Sequence, residues 1–379
     1  MARGYHLQFL FIVALVTSAC ASASAPAPTA APAKPAQATA IPTAAPAQAA
    51  PTKPAAMNKL DEYYQRAKSA GEMKIIHYGG GVGSEYEPVA AAFRQKYPGA
   101  EVEMVNLRGP ELIQRLTAEA SSGKHIANIA SAGATTMLGV EQPGFLAEWE
   151  GPPNVADLPE LPLTAGKTRW GYSEGVYGII WNTDLVPADK LPRTRQDLLD
   201  PFWKGKGKLL IEDPRAGGPG IEFFTLTLDE LGPEYLEKIK AQEPTFVRER
   251  DAAPAQIARG EYAMFLPVSI TRELFDMAKN APVKVGWLED GGATNVTVNL
   301  GVVKNAPGQD IAKLYVSFWT SEEGQKLIAE KVQVYAALRS APPPPGWPSL
   351  NEIKPQRRTS DQIKRNNEYA ETFDKLFFK

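Results

Sequence analysis

The chain has 379 residues, a formal net charge of −2 and one cysteine. This near-neutral balance of charge gives no electrostatic reason to expect nucleic acid as a partner. The length predicts roughly two domains.

The amino terminus has the pattern of an export signal. Arg3 supplies a basic start, and the apolar run from Leu7 to Val16 is too short to span a membrane permanently. Thr17-Ser18-Ala19-Cys20 resembles the bacterial lipobox, in which small residues precede a cysteine that is lipidated and becomes the mature amino terminus. Thr17 departs from the leucine that this motif prefers. We therefore predict a signal peptide over residues 1–19 and lipidation of Cys20. The alternative is cleavage by ordinary signal peptidase near Ala19 to Ala25.

A tether is predicted over residues 20–56. Positions 21–56 contain 17 Ala and 8 Pro among 36 residues. Such a composition buries no core, and its prolines stiffen the chain. Its predicted role is to hold a soluble domain away from a membrane. If Cys20 is lipidated, the mature chain has no free thiol, disulfide or thiolate metal site.

Strands alternate with helices after the tether, which predicts an open α/β sheet. Asn58 to Ala70 has helical spacing of apolar residues, and the strand Met73–Tyr78 follows it. The other predicted elements of the first block are helices 88–97, 111–122 and 136–142 and strands 101–107 and 126–130. The second block has strands 207–213, 245–250, 263–268 and 283–288 and helices 220–231, 253–260, 271–279 and 309–319. Longer strand-like stretches cover 172–183 and 295–304, and 359–378 is predicted as a helix with an apolar stripe.

A glycine-rich loop, Gly79 to Ser84, follows the first strand. Glycine lets another molecule approach the backbone closely, and the carboxyl end of a strand is where open α/β sheets bind ligands. A dinucleotide fingerprint needs GxGxxG, whose last glycine is missing here. The loop is interpreted as one wall of a binding cleft, with a plain strand-to-helix turn as the alternative.

Several segments in the same order resemble the extracellular solute-binding proteins of ABC importers, in the branch often labelled ferric-iron binding. The resemblance covers about residues 58–379. Its pieces are LDEYYQRAKSAGEMKIIHYGG, AAFRQKYPGAEVEMV, ELIQRLTAEASSGKHIANIASAG, DLLDPFWKGKGKLLIEDPRAGGPG, ARGEYAMFL, KNAPGQDIAKLYVSFWTSEEGQKLI and the carboxyl-terminal helix.

This resemblance implies the type II periplasmic-binding-protein fold. That fold has two α/β lobes, each a mixed sheet flanked by helices, joined by two crossover hinge strands with the ligand in the cleft between the lobes. The hinges correspond to Gly175–Asn182 and Val296–Val303. Lobe 1 is then residues 57–175 plus 297–379, with part of the carboxyl-terminal segment able to pack on lobe 2, and lobe 2 is residues 176–296.

Strand ends and helix starts supply the expected ligand-binding residues, because helix amino termini are natural anion sites. By resemblance, the helix start at Gly217–Gly220 holds an anion, and Arg215 is placed to add a charge-assisted bond. Two alternatives stay open: Arg215 as a surface residue covering Glu212 or Asp213, and Tyr177 as a core aromatic. The predicted set is Gly80, Gly81, Ser84, Arg108, Gly133, Ala134, Thr135, Tyr177, Arg215, Gly217, Gly218 and Ser269.

A small organic anion is the preferred ligand, namely a carboxylate, phosphonate or sugar phosphate. Ferric binders of this family usually have adjacent tyrosines after the strand that ends near Val268, where this chain has Ser269-Ile270-Thr271. The pair Tyr63-Tyr64 is predicted in a helix away from the cleft, and His77 inside a strand is interpreted as a core residue. No metal-ligand spacing is present. A ferric-iron or iron-chelate binder is the alternative.

No enzyme, cofactor or resident metal is expected. A secreted hydrolase would need a nucleophile with a base, and the chain has no GxSxG motif and no histidine pattern near Ser131. A sensory or adhesion lipoprotein on the same fold is a further alternative. Trp181 and Trp319 are assigned to packing. The expected partners are a small anionic ligand, an ABC permease with its ATPase, and a membrane through the lipid anchor, for an exported monomer.

Overall fold

The computed structural model describes residues 58–80, 82–107, 109–159, 167–216, 218–292 and 294–379. The predicted signal peptide, Cys20 and the tether lie outside these residues, as do three of the predicted ligand-binding residues, Gly81, Arg108 and Gly217. Within the described ranges, no helix combines the length and the apolar character needed to cross a bilayer.

Ten strands in the described part of the chain pair into one mixed sheet. In chain order they are β1 (Lys74–Gly79), β2 (Glu101–Asn106), β3 (Ile129–Gly133), β4 (Arg169–Asn182), β5 (Leu209–Glu212), β6 (Thr245–Val247), β7 (Met264–Ser269), β8 (Val283–Gly286), β9 (Thr294–Val302) and β10 (Tyr335–Ala336). Their order across the sheet is β2-β1-β3-β9-β4-β7-β5-β6, and β8 and β10 both pair with β4.

Two long strands join the halves of this sheet. Strand β9 runs antiparallel to both β3 and β4, and β4 continues beyond it to pair with β7 and β8. On one side lie the parallel strands β1, β2 and β3, and on the other the parallel strands β5, β6 and β7. We call these sides the first lobe (β1–β3) and the second lobe (β5–β8). The mixed α/β class predicted from the sequence is confirmed, while the residue boundaries of the lobes stay a prediction.

Thirteen α-helices flank the strands within the described residues. They are α1 (Lys59–Ala70), α2 (Glu87–Lys96), α3 (Gly109–Ser122), α4 (Ala134–Glu141), α5 (Gly218–Leu231), α6 (Pro233–Lys240), α7 (Ala253–Ala258), α8 (Arg272–Met277), α9 (Gln309–Thr320), α10 (Glu322–Leu327), α11 (Leu350–Ile353), α12 (Ser360–Lys364) and α13 (Asn366–Phe373). Local chemistry sets the ends of α1: the Asn58 side chain accepts hydrogen bonds from the first turn, and Gly71 closes the helix at φ +70°.

Each lobe buries apolar side chains on both faces of its sheet. In the first lobe, one cluster surrounds Trp319 and Phe93, and the other surrounds Met137. In the second lobe, one cluster contains Trp181 and Trp203, and the other contains residues from β7, α7 and α8. The assignment of Trp181 and Trp319 to packing is confirmed.

The carboxyl-terminal segment packs on the second lobe. The sequence predicts one helix over 359–378, but the chain breaks at Arg365 into α12 and α13, followed by a π-helical turn, Asp374–Phe378. Its apolar stripe is buried with Phe224 of α5 in the second-lobe cluster. Of the two placements that the sequence allowed for this segment, packing on the second lobe is the one observed.

Strand β3 extends further than its composition predicts. The sequence predicts a strand over 126–130, but Ser131 to Gly133 continue the strand by pairing with β9, and α4 starts directly at Ala134. Small side chains are compatible with a buried strand when both neighbouring strands supply hydrogen bonds. The strand therefore delivers Gly133 and the start of α4 to the middle of the sheet.

Candidate functional site

The ends of β1 and β3 lie side by side in the first lobe. The Gly80 N–H donates to the Ser131 carbonyl at 3.0 Å, and Gly133 pairs with Val298 of β9. Gly80 and Gly133 are half-buried, while Ser84 and Thr135 are exposed and Ala134 is buried. The structure thus brings these predicted residues to one edge, beside the strands that link the lobes.

Tyr177 connects this edge to the second lobe. A Cβ on Gly175 would lie 3.4 Å from Val296 Cγ1 and 3.9 Å from the Tyr177 hydroxyl, and a Cβ on Gly133 would lie 3.9 Å from Val296 Cγ2. These contacts place Gly175, Tyr177 and Val296 on one face of β4 and β9, which we call the hinge face. Tyr177 also pairs with Ser269 at the end of β7. Neighbouring residues on β4 and β9 therefore connect Gly133 in the first lobe, through Tyr177, to Ser269 in the second lobe.

Charged side chains surround the Tyr177 hydroxyl. The Tyr177 ring is about nine-tenths buried, yet it belongs to none of the apolar clusters of the described chain. Burial is the main cause that raises the pKa of its phenol above the ordinary value; Glu222 raises it further, and Arg250 lowers it. The side chain is thus a buried aromatic with charged neighbours, and its contact with a ligand stays a prediction.

A buried carboxylate occupies the start of α5. Glu212, the last residue of β5, is fully buried, and its Oε1 accepts a hydrogen bond from Arg250 Nη1 at 2.9 Å. Burial raises the pKa of the carboxyl to about 7. Its Oε2 atom is buried without a hydrogen-bond partner.

The chain's own Glu212 lies beside the glycine-rich helix start. The resemblance implied that an external anion is held at Gly217–Gly220, and a Cβ on Gly218 would lie 3.3 Å from Glu212 Oε1. Gly218 is exposed with φ +62°, and a Cβ there would lie 2.7 Å from Arg250 Nη1. Arg250 thus lies beside Gly218 at this helix start, and its side chain is 41% exposed.

Arg215 is engaged within the protein, in contrast to the predicted ligand contact. Its guanidinium donates to Asp213 at 2.8 and 3.0 Å and to Asp374 at 2.5 Å. It also lies over the Phe378 ring at 3.4 Å. The alternative weighed from the sequence, a residue covering Asp213, describes these contacts. Arg215 fastens the carboxyl-terminal turn to the end of β5.

His77 is a satisfied core residue, as predicted. Its Nε2 lies 2.7 Å from Ser131 Oγ, and its ring packs edge-on against Tyr315 and Trp319. Both His77 and Ser131 are fully buried. Burial lowers the pKa of the imidazole to about 3, so the ring is neutral at physiological pH. A serine and a histidine do meet here, but both side chains are closed off from solvent.

The metal-binding capacity of the site is limited by its side chains. No group of three or more His, Cys, Asp or Glu residues in the described ranges is placed to hold a metal ion. At the end of β7, where this chain has Ser269-Ile270-Thr271, Ser269 is half-buried and Ile270 is buried. Ser269 pairs with the buried Tyr177 of β4, so a hydroxyl and a phenol lie near this point.

Three charged residues near the site were not identified from the sequence. Arg250 and Glu212 form the pair at α5, and Glu174 in the middle of β4 is buried beside Thr297 and Arg357. The sequence did contain one indication of such a pair, the acids Glu212-Asp213 at the end of an apolar strand, because buried acids need cationic partners. Their partners, however, come from distant segments.

Comparison with known proteins places the chain among transport proteins. The model of a family described as bacterial extracellular solute-binding protein matches residues 89–355. Iron uptake protein A1 of Synechocystis sp. (strain ATCC 27184 / PCC 6803 / Kazusa) is 23% identical over 278 residues, covering 70% of this chain and 76% of that protein.

Two solved structures illustrate the fold. Iron-bound HitA from Pseudomonas aeruginosa superposes with a TM-score of 0.67 at 18% identity, covering 80% of this chain and 99% of that one. The periplasmic binding protein AfuA from Actinobacillus pleuropneumoniae, with fructose-6-phosphate bound, gives 0.62 at 18% identity, covering 79% and 98%. At these identities the likeness shows the fold and leaves the ligand open.

Proposed function

Because the chain belongs to the bacterial extracellular solute-binding protein family, we propose that it captures a small organic anion between its lobes and delivers it to an ABC permease. The proposed ligand is a carboxylate, phosphonate or sugar phosphate. This family consists of solute-binding proteins, and the proposal includes no chemical change of the bound solute.

The observation that carries the choice of an anion is Arg250. Its guanidinium is 41% exposed and borders the start of α5. A second, more exposed arginine, Arg248, lies two residues earlier and contacts Asp213. Arginine binds carboxylate and phosphate groups through charge-assisted hydrogen bonds. An anionic group of the solute would bind Arg250 from the second lobe, while the exposed hydroxyls of Ser84 and Thr135 approach from the first.

Lobe closure is the proposed mechanism. Within the described residues, the chain passes between the lobes along β4 and β9. Small changes of backbone conformation along these two strands would therefore rotate one lobe against the other. A solute that touches both lobes binds the closed arrangement better and shifts the population towards it. The permease would then recognise the closed form.

Ferric iron is the second candidate, since several similar proteins are described by their names as iron proteins. Hard Fe³⁺ prefers phenolate oxygen, which the described site offers only through Tyr177. Burial raises the pKa of that phenol, which makes the phenolate form harder to reach. The chain has Ser269-Ile270-Thr271 after β7 and no pair of tyrosines there. This supports an organic anion over the bare metal ion as the ligand.

The amino-terminal part of the proposal rests on sequence alone. The family description implies export, and the lipobox-like Cys20 adds anchoring at the outer face of the cytoplasmic membrane or in the periplasm. The lipid anchor, the monomeric state and the partnership with a permease and ATPase are proposed on that basis. Mass spectrometry of the mature protein would detect a diacylglyceryl group on Cys20.

A thermal-shift screen tests the proposed ligand class. Citrate, inorganic phosphate, phosphonoacetate and a hexose phosphate are added to the purified protein, with the unphosphorylated hexose as the neutral comparison. A ligand at about a hundred times its Kd stabilises the folded state by about 2.7 kcal/mol, which raises Tm. Arg250→Gln should weaken the active anion by about tenfold or more, because a charge-assisted bond is lost.

The matched control is Arg259→Gln, which alters an exposed arginine of the same lobe that pairs with Glu261. It should leave the affinity unchanged. If no anion raises Tm and ferric salts instead produce a tyrosinate-to-iron absorption band, the organic-anion proposal is wrong and the ferric alternative stands.

A further inference from the structure

A cavity of about 570 Å³ lies beside the middle of β4, and it contains none of the ligand-binding residues predicted from the sequence. Its walls come from β10 and the chain that follows it, from the start of α11 and from Pro159. The charged residues in its lining are Glu174, Arg339 and Arg357. A volume of this size falls within the range of small-molecule sites, about 300–1,000 Å³.

This cavity faces away from the strand-end site. Glu174 and Tyr177 are three residues apart on β4, and side chains of a strand alternate between its faces. The Glu174 side chain therefore projects from the face of the sheet that is opposite to the hinge face. Thr297 confirms this, because it is adjacent to Val296 on β9 and its Oγ1 donates to Glu174 Oε1 at 3.0 Å. We call this side the rear face.

Aromatic packing fixes the loop that encloses the cavity. The Trp347 ring lies 4.7 Å from Phe275 of α8 and 5.4 Å from Tyr335 of β10. The Tyr335 hydroxyl donates to the Pro348 carbonyl at 2.7 Å. Trp347, near the carboxyl-terminal end of the loop, is thus held between Phe275 of the second lobe and Tyr335 of β10. The cavity has a defined wall.

The charges around the cavity favour an anion. Glu174 is buried and is paired with Arg357 at 2.9 Å, which leaves that pair close to neutral. Arg339 is exposed at the rim and forms no ion pair with any described residue. One uncompensated guanidinium therefore faces the cavity. The remaining lining includes apolar groups: Pro159, Ala336, Ala337, Leu338, Pro342 and Leu350.

We propose that the rear-face cavity is a second binding site, which takes a small organic anion with an apolar body. Arg339 binds the acidic group. The apolar body lies against the prolines, alanines and Leu350. This site is separate from the proposed solute site at the hinge face, so either can exist without the other.

Fluorescence titration with anilinonaphthalene sulfonate tests the site, because this dye joins an anionic group to an apolar body and becomes emissive when it leaves water. One dye should bind per chain. Arg339→Gln should weaken it by about tenfold, the value of one charge-assisted bond. Asn351→Trp, at an exposed lining position, should obstruct the cavity and weaken the dye similarly. The neutral analogue N-phenylnaphthylamine should bind more weakly than the sulfonate.

Arg272→Gln is the matched control, since Arg272 is an exposed arginine outside this cavity that pairs with Asp276. It should bind the dye like the parent protein. Circular dichroism and Tm of each variant show that the comparison is between folded proteins. The proposal is overturned if Arg339→Gln and Asn351→Trp bind the dye as Arg272→Gln does, or if the neutral analogue binds as tightly as the sulfonate. Arg250→Gln should not change dye binding, which separates this test from that of the hinge-face site.

Discussion

Arg358 and Glu222 form a two-point ion pair, with Nε to Oε2 at 2.7 Å and Nη2 to Oε1 at 2.5 Å. The Arg358 side chain is completely buried, and that of Glu222 is 10% exposed. The pair ties the carboxyl-terminal segment to α5. The neighbouring Arg357 bonds Glu174 on β4, so two consecutive arginines connect this segment to the strand and the helix that border the hinge.

Removing one partner of this pair should be costly. Arg358→Met leaves Glu222 as a buried charge without its partner, and such a change costs about 3–5 kcal/mol of unfolding free energy. Replacing both residues, in Arg358→Met with Glu222→Met, should recover much of that loss, because no buried charge remains. Urea denaturation measures both values.

Arg365→Met serves as the control for this pair, since Arg365 is exposed, pairs with nearby Glu368 and lies over the Tyr369 ring at the surface. It should change the free energy by less than about 1 kcal/mol. Equal losses for Arg358→Met and Arg365→Met would show that the buried pair adds nothing to stability.

Arg215→Ala should act on stability instead of on ligand binding. The change removes the bonds to Asp213 and Asp374 and the contact with the Phe378 ring. We expect a loss of about 1–3 kcal/mol of unfolding free energy, measured by urea denaturation. The affinity for whichever anion the thermal-shift screen identifies should stay unchanged in calorimetry. A weaker affinity with unchanged stability would return Arg215 to the ligand site.

Glu212 should make the folded state less stable as the pH rises. Burial raises the pKa of its carboxyl from 4.5 to about 7, so the folded state binds more protons than the unfolded state between these values. Its contribution is therefore most favourable below about pH 4.5 and is lost as the pH rises through 7. Glu212→Gln should flatten the fall in unfolding free energy across this window.

The measurement for Glu212 is denaturation at several pH values from 4 to 8, with Glu261→Gln as an exposed control. Burial likewise raises the pKa of Glu174 to about 7. Glu174 therefore lowers the unfolding free energy with rising pH in the parent protein and in Glu212→Gln alike. A parent profile and a Glu212→Gln profile of equal slope would mean that Glu212 titrates normally.

His77 should have the opposite effect on acid stability. Its pKa is lowered by burial from 6.5 to about 3, so the unfolded state binds the extra proton between these values. The stability that depends on neutral His77 is complete above about pH 6.5 and is lost as the pH falls towards 3. His77→Gln should therefore show a smaller acid-induced loss, even though its stability at neutral pH is lower.

Acid denaturation monitored by circular dichroism, from pH 7 to 3, measures this effect. The quantity compared is the slope of unfolding free energy against pH, because the absolute stability of His77→Gln also reflects the lost contact with Ser131. A variant slope equal to that of the parent would show that His77 is protonated in the folded protein at an ordinary pH.

Local patterns in the chain were enough to predict most of the elements in their order, but they missed α6, α10, α11 and β10. Helical spacing of apolar residues and the Asn58 and Gly71 signals define α1, and short apolar runs between helices define the strands. Because ligands in such sheets meet strand ends, the positions of Gly80, Gly133 and Ser269 at the strand ends followed from the same pattern.

Charged side chains were harder to place from the sequence. Arg215 looked like a ligand residue because it stands between a strand and a glycine-rich helix start, but its partner Asp374 is 159 residues away. Glu212 and Arg250 are 38 residues apart, and Arg358 and Glu222 are 136 apart. No local pattern shows which of many acids a given arginine will meet.

The sequence by itself thus determined the α/β class, the order of most strands and helices, the buried tryptophans and the core position of His77. These depend on spacing and apolar character within a few residues. Only the tertiary structure decided which arginines are bound internally, that Arg250 remains open, and that Glu174 faces a cavity behind the hinge. Those outcomes depend on pairing between distant segments, since an ion pair forms only where the folded backbone brings two charges together.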